Sequence, residues 1–209
     1  MRRRGSRLRV SSASNADHHY IFNESAGNLI DINGTADMTV FETTRGNGEY
    51  FFDGVNDYCT VNNDLVGSAF PISVTAEVKK ESSLQEFIYF SNWVEGLAYS
   101  GIVLALKPGI IECSYGNGLG AGASSRRLFA SNDFDFDTNY HKISIEIVDN
   151  LNVNLWVDGV SLPMSHSSGS ATSMSNSGKT FLFKYLGAYQ SGSIRKLSTF
   201  KRLLQPSER

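Results

Sequence analysis

Cysteine is nearly absent. Cys59 and Cys113 are the only two in 209 residues, too few for a disulfide framework, and reduced, buried thiols are the expected state. Proline is scarce at 4 while glycine reaches 19. That balance suits strands joined by tight turns and excludes a Pro-rich disordered chain. No run of residues is long and apolar enough to span a bilayer, so no membrane span is expected. No stretch carries a convincing 3.6-residue apolar period, which leaves no amphipathic helix to place. Catalytic signatures are missing too: no nucleophile motif surrounds a Ser or Cys, and no Cys or His spacing suggests zinc.

Acidic residues are missing from the N-terminus, where the first is Asp17. Arg2, Arg3, Arg4, Arg7 and Arg9 crowd that segment, leaving the rest of the chain 14 basic against 21 acidic residues, a net of −7. A mildly acidic body is an unsuitable surface for nucleic acid. The basic arm is suited to phosphates or to an acidic protein surface. It has the charge of a signal-peptide n-region, but Val10–Asn15 is polar where an apolar segment would follow, so ordinary secretion is not expected.

What the chain has in quantity is alternation. Ile72, Val74, Ala76 and Val78 alternate with polar residues, as do Ile143, Ile145 and Ile147, and then Leu151, Val153, Leu155 and Val157. Period two marks half-buried strands, and the short Asp149-Asn150 link makes the last two a hairpin. Further strands are expected at Tyr50–Phe52, Tyr58–Val61, Phe87–Phe90, Ile102–Lys107, Ile110–Tyr115, Leu128–Ala130, Phe181–Leu186 and Ile194–Phe200. Residues 116–125 and 163–179, rich in Gly, Ala and Ser, read as loops. Many short strands, each with one apolar face, must pair into two sheets packed face to face. The expectation is an all-β chain: a basic arm over 1–19 and one sandwich over 20–209.

Five segments, in order over about residues 45–208, resemble the laminin-G-like, concanavalin-A-like family. Glu49–Tyr58 is similar to its F-D-G-x-x-D-Y strand-turn-strand, and Ile72–Lys79 to a strand that often carries Trp where Glu77 stands here. Tyr140–Ile145 resembles its W-H-H-v-a-v strand, with Tyr140 in place of Trp. Leu155–Val160 resembles l-Y-v-D-G-v, and Gly192–Leu197 with Arg202–Glu208 resembles the family's C-terminal pattern. The resemblance implies a jelly-roll sandwich of two antiparallel sheets. One fold hosts many sites, so function has to come from particular residues.

Some relatives with this fold are glycoside hydrolases that carry Glu-x-Asp-x-x-Glu on one strand. No such string occurs here, so a glycosidase ranks last among the readings. The nearest carboxylate series is Asp133, Asp135 and Asp137, interleaved with Phe134 and Phe136. On a strand the three acids would share one solvent-facing edge. His141 matches a strand position of the family, so its expected role is structural. Family members often bind Ca²⁺ through loop carboxylates, and Asp53, Asn56 and Asp57 are oxygen donors clustered in a turn. The alternative for them is turn capping through side-chain-to-backbone bonds. For sugar, aromatic faces with neighbouring amides are the expected chemistry: Asn92 with Trp93 and Tyr99, Asn154 with Trp156, and Tyr189 in the Gly187–Gly192 loop. Packing is the alternative for Trp156, and a loop plug or subunit contact for Trp93, which keeps a homo-oligomer open.

The function expected from all this is a non-enzymatic recognition or adhesion module. A lectin-like domain without a secretion signal can reach a surface as part of a virion, with the basic arm anchoring it to other structural proteins. A phage-type structural or host-attachment protein on a virion or extracellular surface is therefore the leading expectation. A decoration protein without sugar binding and a secreted carbohydrate-binding domain are the alternatives.

Overall fold

A computed structural model of the chain describes residues 15–92, 99–132, 134–175 and 178–209. The five arm arginines, Trp93 and Asp133 lie outside the described residues. In chain order the strands are β1 (His18–Ile21), β2 (Thr39–Phe41), β3 (Thr44–Gly46), β4 (Glu49–Asp53), β5 (Tyr58–Val61) and β6 (Ile72–Lys79). They continue with β7 (Phe87–Ser91), β8 (Ser100–Lys107), β9 (Ile110–Asn117), β10 (Arg126–Ser131), β11 (His141–Ile147) and β12 (Val153–Val157). The last six are β13 (Val160–Leu162), β14 (Ser165–Gly169), β15 (Thr180–Leu182), β16 (Lys184–Tyr185), β17 (Ala188–Tyr189) and β18 (Ser191–Phe200). The only helix among the described residues is two short 3₁₀ turns, at Ala123–Ser125 and Pro206–Glu208.

The strands form two antiparallel sheets. The first has the order β13-β12-β11-β6-β18-β4-β3, with β1 also pairing with β18; the second has the order β14-β10-β9-β8-β7-β15-β5-β2. Their inner faces supply one core. Val74, Val78, Ile143, Ile145, Leu155 and Val157 all sit in it, as their alternation requires. So do Cys59 and Cys113, both free thiols. The family-like segments fall where strand-turn-strand units were expected: Glu49–Tyr58 makes β4, its turn and the start of β5, and Leu155–Val160 makes the β12–β13 hairpin. Asp158 and Gly159 both adopt positive φ, 51° and 80°, at that hairpin turn, the geometry a two-residue hairpin needs.

Several boundaries differ from the sequence reading, each for a local reason. Strand β1 begins at His18, inside the segment read as an arm. Asp31 fixes it there, its carboxylate accepting from the His19 amide at 3.0 Å and facing His18 Nδ1 at 2.7 Å. Residues 163–179 are not all loop, because β14 lies within them and pairs with β10 at the edge of the second sheet. Leu151 is not in strand β12. It is 61% exposed, in a turn where the Asp149 carboxylate accepts from the Leu151 and Asn152 amides at 2.7 and 2.9 Å. The run Phe181–Leu186 is split at Phe183, whose φ is +56°. Its ring turns inward to stack on Phe52 at 4.1 Å, and the chain beyond it becomes a separate hairpin, β16–β17. Phe134–Tyr140 is a connector rather than a strand; Phe136 is buried while Asp135 and Asp137 are exposed.

The outer face of the first sheet holds polar residues that are nonetheless buried. Ser73, Ser144 and Glu146 are essentially inaccessible because the C-terminal segment lies across them. Glu146 Oε1 accepts from the Leu204 amide at 2.8 Å and faces Arg209 Nη2 at 3.4 Å. Ser73 donates its hydroxyl to the Arg202 carbonyl at 2.7 Å. Ala16, Phe200 and Leu204 close a small apolar cluster at the same layer.

Candidate functional site

The outer face of the second sheet is where apolar and aromatic side chains accumulate on the solvent side. The register defines it: Thr39 pairs with Thr60, Thr60 with Phe181, Phe181 with Ser91, Ser91 with Val103 and Val103 with Ser114. Cross-strand partners share a face, so Phe41, Tyr58, Phe181 and Val103 project together, away from the core thiol of Cys59. Phe41 and Tyr58 are directly opposed on β2 and β5. Their rings stack at 4.3 Å with planes 4° apart.

The β16–β17 hairpin lies over this face. Its base is closed by the Gln190 amide donating to the Phe183 carbonyl at 2.9 Å. On one side, Tyr185 packs with Tyr99 against Ile88, Val103 and Ala105. On the other, Tyr189 approaches Tyr58 with ring centroids 5.8 Å apart. Between them the Lys184 ammonium sits over Tyr58 at 4.4 Å, Tyr189 at 5.1 Å and Phe181 at 5.6 Å. Arg126 caps Tyr99 at 5.2 Å. Burial first of all, with the nearby phenol of Tyr99, holds the Tyr185 hydroxyl above its ordinary pKa. The rims are apolar as well: Leu186 at the hairpin tip is 51% exposed and Leu119 is 85% exposed. Leu119 belongs to a loop tied to Tyr99, whose amide donates to the Gly120 carbonyl and whose carbonyl accepts from the Gly118 amide.

The structure separates the residues singled out for sugar. Tyr99 and Tyr189 share the face just described. Asn92 does not: it is wholly buried, its amide donating to Asp64 at 2.7 Å and its carbonyl accepting from the Ile102 amide. It is an internal tie between loops and strands, out of reach of an external ligand. Asn154 and Trp156 lie on the opposite side of the molecule, on the first sheet. Asn154 donates to Glu146 Oε2 at 3.0 Å, and the Arg209 guanidinium covers Trp156 at 4.3 Å. Asn154 stays exposed, while Trp156 is half-buried because Arg209 of the C-terminal segment returns over its ring. Phe41, Tyr58, Lys184 and Tyr185 were missed. The signal for Phe41 and Tyr58 was an aromatic at the polar phase of each strand.

The Asp53, Asn56 and Asp57 turn is engaged with its own backbone. Asp57 is buried and accepts from the Asp53 amide at 2.9 Å, while Asp53 accepts from the Val55 amide at 2.7 Å. Burial pushes the Asp57 carboxyl above its usual pKa. Among the described residues no group of three or more His, Cys, Asp or Glu side chains is gathered as metal ligands.

A separate cleft of about 470 Å³ opens at the far end of the sandwich, lined by Leu84, Pro108, Asn132, Phe134 and Asp135 with Ser83 and Gly109. It lies beyond the end of β8 opposite to Tyr99, roughly 27 Å away at 3.4 Å per residue. Asp135 is the only carboxylate among the described residues lining it. Below it the buried Lys80 donates to the Ser83 carbonyl at 3.2 Å. Burial lowers the Lys80 pKa, against the pull of Asp135 and Glu86.

In class the chain is a two-sheet antiparallel β-sandwich. No family model matches the sequence, and no curated protein sequence matches it. Solved structures do match the fold. The binding domain of botulinum neurotoxin serotype D aligns with a TM-score of 0.69 and 16% identity over 93% of this chain and 50% of that one. The serotype G binding domain aligns with a TM-score of 0.65 and 17% identity, covering 93% and 49%. The serotype D ligand-binding domain in complex with N-acetylneuraminic acid gives 0.66 and 12%, covering 93% and 49%. At such identities the likeness is one of fold, and this chain spans about half the length of those domains. The sandwich implied by the laminin-G-like motifs is present, while no comparison shows membership of that family.

Proposed function

We propose that this chain is a non-catalytic recognition module that binds glycan through the outer face of its second sheet. We further propose that it is carried on a virion or other extracellular surface as a structural or host-attachment protein. The observation that carries the binding surface is the aromatic group of Phe41, Tyr58, Phe181 and Tyr189 kept on the solvent side of a sheet beside Lys184. A solvent-facing sheet surface is ordinarily polar. Large rigid rings with polar tips supply contact area at low entropic cost, and apolar ring edges beside hydroxyls suit the mixed surface of a sugar.

Two further points support the reading. Solved structures of like fold are binding domains, one in complex with N-acetylneuraminic acid. Glycoside hydrolysis needs two carboxyls about 5–9.5 Å apart flanking the bond, and the end cleft offers Asp135 alone among its described residues. The particle role rests on the five arginines of the arm, whose charge suits an acidic surface in an assembly.

Glycan-array binding tests the proposal. Binding is expected for the native chain and should fall at least tenfold for Tyr58→Ala, with the circular dichroism unchanged. Incubation with laminarin, agarose or chitin oligomers should release no reducing ends. Turnover, or array binding indifferent to Tyr58→Ala and Tyr189→Ala together, would refute it.

A further inference from the structure

We infer that the ligand of this face is an anionic glycan, its carboxylate or sulfate groups read by Lys184 and Arg126. The inference rests on the glycan-binding reading above and names its substrate class. Both cations are held in place by aromatic rings: Lys184 by Tyr58, Tyr189 and Phe181, and Arg126 by Tyr99. Neither makes an ion pair among the described residues. Several other cations are matched. Lys107 contacts Glu112 at 2.8 Å and Glu86 at 3.3 Å, Lys196 contacts Glu77 at 2.8 Å, and Arg202 contacts Glu208 at 2.8 Å. Outside the arm this chain carries 20 acidic against 14 basic residues. In such a body two cations without a carboxylate partner among the described residues, on the face that also carries the tyrosines, leave charge for something external.

The geometry also separates an anionic ligand from a neutral one. A neutral sugar stacking on Tyr58 must displace Lys184 from the ring and offers the ammonium no charged partner in exchange for the lost cation–π contact. An acidic sugar draws the ammonium off the ring into a charge-assisted hydrogen bond while its C–H face takes the ammonium's place. The ligand's charge and its ring then use the two parts of the site together. By sheet order β10, which carries Arg126, lies five strand positions from β5, which carries Tyr58. At about 4.8 Å per strand that is roughly 24 Å. A single sugar reaches one cation; a chain of several acidic sugars reaches both. Because ring contacts orient the cations beforehand, binding orders fewer free side chains.

Calorimetric titration of the full chain tests this. Sulfated and uronic-acid oligosaccharides of six to eight sugars are compared with neutral chitin and laminarin oligomers of equal length. The arm arginines are a second attraction for polyanions, so every measurement is repeated with Arg2, Arg3, Arg4, Arg7 and Arg9 changed to Gln. In that background the acidic oligomers should bind at least tenfold tighter than the neutral ones. Lys184→Gln with Arg126→Gln should remove the preference and most of its salt dependence, with the melting temperature unchanged, while Lys184→Arg should retain it. Neutral oligomers binding as tightly as acidic ones, with the double variant unaffected, would overturn the anionic class and leave the glycan reading intact. Binding to neither set, while Tyr58→Ala changes nothing, would overturn both. Binding to vesicles of phosphatidylcholine with phosphatidylserine, and to no oligosaccharide, would assign the cations to a lipid surface and overturn the inference.

Discussion

Glu146 offers the sharpest test of how this sandwich is held closed on its first sheet. Its carboxylate is inaccessible and serves three donors: the Leu204 amide at 2.8 Å, the Asn154 side-chain amide at 3.0 Å and Arg209 at 3.4 Å. Glu146→Leu would fill the volume but leave the buried Leu204 amide without an acceptor, while the exposed Asn154 amide can turn to water. The orphaned group costs about 1–3 kcal/mol, and removing one partner of a buried ion pair costs about 3–5 kcal/mol in all. Arg209 is one-third exposed and recovers part of its solvation, so about 3 kcal/mol is the expected loss. For a domain of this size each kcal/mol lowers the melting temperature by about 2–4 °C, giving roughly 6–12 °C. Glu146→Gln keeps an acceptor for Leu204 and should cost about 1 kcal/mol. Urea denaturation measures both. In a Trp93→Phe background the fluorescence of Trp156, which lies under Arg209, reports whether the C-terminal segment has lifted. A loss below 0.5 kcal/mol for Glu146→Leu, with unchanged Trp156 emission, would mean that the C-terminal segment is not fastened through this carboxylate.

Three further outcomes are expected. Ile145→Ala, at a position 1% exposed between Val74 and Leu155 on neighbouring strands, should cost about 2–5 kcal/mol in the same urea assay; a change of a few tenths would mean the residue is outside the core. His141 bridges Asp158 through Nδ1 at 2.7 Å and Asp137 through Nε2 at 2.9 Å, an arrangement in which both nitrogens donate only when the ring is protonated. Partial burial lowers its pKa, but the two carboxylates outweigh that and hold it above the ordinary value, so its contribution is complete below about pH 6.5. It fades as pH rises through the raised folded value; His141→Gln should therefore lose about 0.5–1 kcal/mol at pH 5.5 and much less at pH 9, and an equal loss at both would contradict the imidazolium bridge. Deleting residues 1–14 should leave the melting temperature nearly unchanged and abolish incorporation into the proposed particle, whereas extending the deletion through Ala16, which packs on Phe200 and Leu204, should lower it; normal assembly of the shorter truncation would remove the proposed anchoring role.

The strand phases of the core were legible because they depend only on neighbours in sequence. Ile143, Ile145 and Ile147 alternate with polar residues, and a period of two leaves a strand one way to bury them. The Asp53 and Asp158 turns were legible for the same reason, since Asp-Gly fixes a local backbone geometry. Short edge strands such as β2, β3 and β14 were not, because three to five residues carry too little period to read and are held by the partner they pair with. The candidate site was legible only in part. Tyr189 and Tyr99 stood out as loop aromatics, but what places them beside Tyr58 and Arg126 is the order of strands in the second sheet and a hairpin that begins where Phe183 dives into the core. Alternation said that Asn154 and Trp156 face outward. That the Trp156 ring is half-covered, while Asn154 stays exposed, followed from a C-terminal segment some fifty residues later in the chain, carried back across the sheet by Glu146. Sequence by itself determined which side of each strand is apolar; only the tertiary structure decided which polar sides remain open, because covering a sheet face is a long-range event that no local period records.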